Sequence, residues 1–186
     1  MKKYLVLTCA ALLVTAVAAS AIGLPTGGGK VDTKKFDELI AKIDEVSNSV
    51  EAAKTKIDSA EATISGIAEA HGIADLFSDP AKVAELKSAV TDEDKANLQA
   101  QAELLATLPD DINGAVENAT TLVAEIPTAL TDLADQITKN PLAAKDLKDK
   151  KDQLENGKTA LEGITADAPA LVESAGNLSN TVAGLL

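Results

Sequence analysis

Metal or acid–base chemistry on helices needs several convergent histidines, cysteines or carboxylates. This chain has one histidine, His71. It precedes Gly72 at the predicted end of a long helix, and the position where a Glu-x-x-His pair would place its acid is Ala68. A cation at a helix C-terminus interacts favourably with the macrodipole, so His71 is expected to act there as a terminal residue, not as a ligand. The acids have similar local explanations. Asp92-Glu93-Asp94 and Asp110-Asp111 fall in predicted first turns, where negative charge is favoured. Asp37, Asp44, Glu51 and Asp58 recur every seven residues on the outer face of the first helix. That stripe is expected to be a solvated face, and its functional use would be as an acidic docking surface for a basic partner or for loosely held divalent cations.

Other chemistries fail on spacing or composition. Gly27-Gly-Gly-Lys30 suggests a phosphate loop, but the first glycine of that motif is replaced by Leu24 and the residue after the lysine is Val31, not Ser or Thr. No Ser-His-Asp set is present. The chain has no arginine and no tryptophan. Its formal charge is −12, and loss of Lys2 and Lys3 with a leader makes it −14. Nucleic-acid binding needs a basic surface and aromatic or arginine contacts, so it is excluded, as is nucleotide binding. No enzyme, cofactor or metal site is expected.

The N-terminus carries an address. Lys2 and Lys3 precede an apolar run from Leu5 to about Val17, and Ala19-Ser20-Ala21 has the small residues of a cleavage site. Residues 1–21 are read as a bacterial signal peptide removed after Ala21, with an uncleaved membrane anchor as the alternative. Cys9 lies inside the apolar run, which continues beyond it, so it is not a lipidation site. The mature chain then has no cysteine and no disulfide, and must be held by packing alone. Residues 22–32, rich in Gly and with Pro25, read as a flexible linker.

Residues 33–186 read as a single all-α domain. Phe36, Ile43, Val50, Ile57 and Ile64 recur at seven, with Leu39, Val46 and Ile67 on the interleaved positions. This is a lengthwise packing seam on a helix from about Thr33 to His71. A second helical region is expected from Pro80 to Leu108, with a break near Thr91, where Asp94 three residues on resembles a capping box. A third runs from Pro109 to Lys139 with Pro127 as a kink. A fourth follows Pro141 and carries Leu154, Leu161, Ile164, Leu171, Leu178 and Val182, with Pro169 as a second kink. No segment alternates with period two, so no sheet is expected.

These elements predict an elongated antiparallel bundle of about four long helices, up-down-up-down. The first and last helices are expected to pair antiparallel, bulky end against bulky end. Charges flanking the first seam match poorly for a parallel dimer: of Lys35–Ile40, Lys42–Ser47, Ser49–Lys54 and Lys56–Glu61, only the last is complementary. The seam is therefore expected to be buried at home in a monomer. The favoured function is a non-catalytic scaffold of the bacterial envelope, periplasmic or extracellular, with an unidentified protein partner. A lipid or hydrophobic-cargo binder is the alternative, and a carboxylate metal-site enzyme ranks last.

Overall fold

The computed structural model describes residues 31–186. The expected signal peptide, with Cys9, and most of the 22–32 linker lie outside the described residues. Four helices follow in order: α1 (Lys34–Ala70), α2 (Pro80–Ala89), α3 (Asp92–Lys139) and α4 (Ala144–Leu185). No strand occurs among the described residues. The long helices pack side by side as a bundle. At 1.5 Å per residue α3 is about 72 Å long and α1 about 55 Å.

Local chemistry sets most of the boundaries. α1 begins as the Asp32 carboxylate accepts the Lys34 N–H at 3.0 Å, while the Thr33 hydroxyl donates to Asp37. It ends at Gly72, which takes the left-handed φ of 74° that glycine adopts without strain. The Gly72 N–H then reaches Glu69 and the Ile73 N–H reaches Ala68, the paired bonds of a Schellman stop. Asp79 caps α2 by accepting the Ala81 N–H at 2.9 Å, with Pro80 in the first turn. The expected break at Thr91 is a reciprocal capping box. Asp94 N–H donates to the Thr91 hydroxyl at 3.2 Å, and Thr91 N–H donates to the Asp94 carboxylate at 2.8 Å.

The expected boundary at Pro109 is not there. α3 runs through both Pro109 and Pro127, and α4 through Pro169. An interior proline costs roughly 3 kcal/mol in an exposed helix. At Pro109 the apolar stripe is in phase on both sides: Leu105, Leu108 and Ile112 are all buried in one core. Their burial outweighs the missing N–H.

The continuous α3 changes the topology. There are three long helices, and α2 is only ten residues long. Ion pairs Lys35–Asp132 and Lys56–Asp111 lay α1 antiparallel to α3. α3 returns as α4 through the 3-10 turn Pro141–Ala143. An odd number of long helices makes α1 and α4 parallel, contrary to the antiparallel pairing expected of them. Asp37 is paired with Lys150, and Ile43 sits on Gly157. Carrying this offset along the bundle places Ala53 and Ala60 within a turn of Ala168 and Ala175. The bulky start of α1, Phe36 to Val50, therefore lies beside the sparse start of α4, where Lys150 and Gly157 stand, and not beside its bulky end.

The core forms two stretches. One joins Phe36, Ile43 and Val50 to Ile126, Leu133, Leu147, Leu154 and Leu161. The other joins Ile57, Ile64 and Ile67 to Leu98, Leu105, Leu178 and Val182. The seam residues Leu39 and Val46 are also buried, whereas Ile164 and Leu171 are half-buried, with Leu171 bridging both stretches. No polar or charged residue is buried among the described residues.

Gly157 and Gly163 separate packing from propensity. A Cβ at Gly157 would lie 2.9 Å from Ile43 Cδ1 and 3.0 Å from its Cγ2, whereas one at Gly163 would meet nothing within 4 Å. Gly163→Ala is expected to stabilise the protein by up to about 1 kcal/mol. Gly157→Leu is expected to destabilise it by about 1–3 kcal/mol, because α4 must move off α1. Urea unfolding followed by circular dichroism checks both, and shifts of the same sign would contradict the packing described.

Candidate interaction groove

The four expected docking acids lie where the periodicity places them, on the exposed side of α1. They are not equivalent. Asp37 is engaged by Lys150 and by the Thr33 hydroxyl, so it ties α1 to α4. Asp44, Glu51 and Asp58 remain as an exposed, convex acidic stripe without an apolar floor. The packing-seam residues are consumed by the core. Pro127 and Pro169 are exposed on uninterrupted helices.

The concave surface lies elsewhere, between α1 and α3. Two depressions of about 410 and 560 Å³ share Lys42 and Glu125 and so form one groove. α1 contributes Phe36, Leu39 and Val46 to its lining, and α3 contributes Gly114, Ala115, Leu122 and Ala129. The small residues of α3 explain why it stays open. A Cβ added at Gly114 would meet no atom within 4 Å. Six carboxylates line the groove, Glu38, Glu45, Asp110, Asp111, Glu125 and Asp132, against two lysines, Lys35 and Lys42. Lys35 is paired with Asp132, and Asp111 lies 3.8 Å from Lys56. Glu45, Asp110 and Glu125 have no lysine partner among the described residues.

This groove is not evident from the heptad ladder. Its floor positions are seam residues, and its opening depends on which α3 side chains are too short to fill the gap. A signal was present nonetheless: α3 has no lysine between Lys95 and Lys139 but several acids.

His71 lies at the far end of the bundle, and its partner is 23 residues away in sequence. Its Nε2 is 2.9 Å from Asp94 Oδ2. The same oxygen accepts the Thr91 N–H at 2.8 Å and the Thr91 hydroxyl at 2.7 Å. Both side chains of the His71–Asp94 pair are about four-fifths shielded from solvent, at 21% and 18% exposure. The arrangement joins the C-terminus of α1 to the N-terminus of α3, where the Asp94 carboxylate carries the sign the dipole favours. It is not a nucleophile–base pair, because the Thr91 hydroxyl is on the carboxylate and not on the imidazole. The His71 hydrogen bond, then those from Thr91, hold the Asp94 carboxyl down at about 2, below its ordinary 3.8. Among the described residues, no group of three or more His, Cys, Asp or Glu is placed to hold a metal. No helix among them is long and apolar enough to cross a membrane.

Comparison of the chain with protein-family models, with curated proteins and with solved structures gives no match.

The Asp94 junction predicts a pH dependence with a definite sign. A carboxyl whose folded pKa lies below its unfolded value stabilises the fold above the unfolded pKa, and that contribution fades as pH falls through the folded pKa. The stability advantage of the native protein over Asp94→Asn is therefore expected to be full at neutral pH. It should shrink as pH drops from about 4 to about 2. Urea midpoints of the two proteins across that range test it, and a constant difference would contradict the junction.

Proposed function

We propose that this chain is an exported, non-catalytic α-helical scaffold of the bacterial envelope, acting by presenting an acidic surface to a protein partner. The carrying observation is how the residues are divided. Apolar side chains fill the core, no polar or charged residue is buried among the described residues, and the surface carries the carboxylates. A rod of three lengthwise-packed helices is a spacer with long faces, and long faces suit binding rather than turnover. The basic start, apolar run and Ala19-Ser20-Ala21 support export with cleavage after Ala21.

A second reading, a lipid or hydrophobic-cargo binder, draws on α2. This short helix covers the end of the core with one fully buried side chain, Leu86. It is tethered by surface bonds from Lys82 to the Ala74 carbonyl and from Lys87 to the Gly184 carbonyl. Displacing it would uncover core side chains of the turn and helix it packs on, such as Leu76.

Crosslinking in the native envelope followed by recovery of the tagged chain separates the two. The scaffold reading expects a defined protein at near-stoichiometric yield and a mature chain whose mass lacks residues 1–21. Lipid recovered in fixed ratio, with no protein, would replace it with the cargo reading. A chain that stays in the cytoplasm would end the export claim.

A further inference from the structure

We propose that the α1–α3 groove is the partner site and that its occupant is a basic amphipathic helix of another protein. The inference rests on the scaffold reading and adds where contact occurs and with what chemistry.

Shape comes first. The groove follows α1 from Lys35 to Ser49. That is about 20 Å at 1.5 Å per residue, or roughly fourteen residues of a helix laid alongside. Ala124 and Ala129 give its floor exposed and half-buried apolar surface over the buried Val46 and Leu122, and the space beside Gly114 is empty. A helix lying there adds a fourth member to the bundle, with apolar anchors at i, i+3, i+4 and i+7 against the floor. Charge then selects the occupant. Glu45, Asp110 and Glu125 are exposed acids on the rims without lysine partners among the described residues. A partner helix flanked by lysine or arginine supplies the missing cations, and like charge repels an acidic one.

A second copy of this chain placed groove to groove does not fit that requirement. Its long α3 has no lysine between Lys95 and Lys139, so two grooves placed face to face would set carboxylates against carboxylates. The outer stripe of Asp44, Glu51 and Asp58 is a poorer site, because it is convex and offers charge without an apolar floor. Exposed rim charges act mainly on encounter and selectivity, so binding here weakens as salt rises.

The test uses the full chain and a synthetic fourteen-residue helical probe with leucines at the anchor positions and lysines on both flanks, read by fluorescence anisotropy. Saturable binding is expected, with little binding of the same peptide carrying glutamates on its flanks. Gly114→Leu fills the groove from a position with free space, and is expected to weaken binding at least about tenfold with helix content retained. If that variant misfolds, the triple exchange Glu45→Lys, Asp110→Lys, Glu125→Lys decides, since all three are exposed, and the same loss is expected. Reversing Asp44, Glu51 and Asp58 together should weaken binding less than the groove triple. No binding, equal binding of the glutamate peptide, or binding unchanged by the groove variants would overturn the proposal. An envelope protein still captured by those variants would overturn the groove and leave the scaffold reading standing.

Discussion

Lengthwise apolar contact between three helices is the interaction on which the rest of this protein depends. No polar or charged residue is buried among the described residues, and a single cysteine, Cys9, gives the chain no internal disulfide. Stability is therefore distributed along the rod in small increments, one level of two or three side chains at a time. This accounts for the tolerance of Pro109, Pro127 and Pro169. Each removes a backbone hydrogen bond locally, while the levels above and below stay filled by Leu108 and Ile112, by Ile126, and by Ala168.

The same constraint fixes the arrangement of the helices. A level holding a large residue on one helix needs space on another, and Ile43 over Gly157 is the clearest case. Ala53, Ala60, Ala168 and Ala175 are small residues buried in one core stretch with Ile57, Ile64 and Leu178. Asp37 with Lys150 and Lys35 with Asp132 sit at the edges of this packing. They are surface pairs, each side chain between one-fifth and about half exposed, and such pairs contribute at most about 1 kcal/mol. They mark the register more than they create it.

Much of this was legible from the chain, because much of it is local. The seam from Phe36 to Ile67, the stop at Gly72, the restart at Pro80 and the break at Thr91 all rest on residues within a few positions of one another. Pro109 was misleading for the opposite reason. Its local signal is strong, and what overrules it is contact with helices distant in sequence. One misplaced boundary then reversed the expected pairing of α1 and α4, since that pairing depends on whether the long helices are odd or even in number. The His71–Asp94 junction was half legible. Each residue's dipole preference could be read, but their meeting required the path of the α2 segment. The groove was the least legible feature, because openness belongs to a pair of helices.

Burying the ladder at home has a functional consequence. A seam that packs internally offers a partner only its edges, so recognition must use what packing leaves over. In a three-helix rod that remainder consists of convex ridges and the furrows between neighbours. Ridges here offer carboxylates that are hydrated and readily screened, which steer an approaching partner without fixing its position. A furrow adds shape, and its short side chains leave apolar floor within reach of a partner's side chains. The small residues of α3 thus have two effects. They reduce the contact that α3 makes with α1, and they leave a site that a more fully packed bundle would not have.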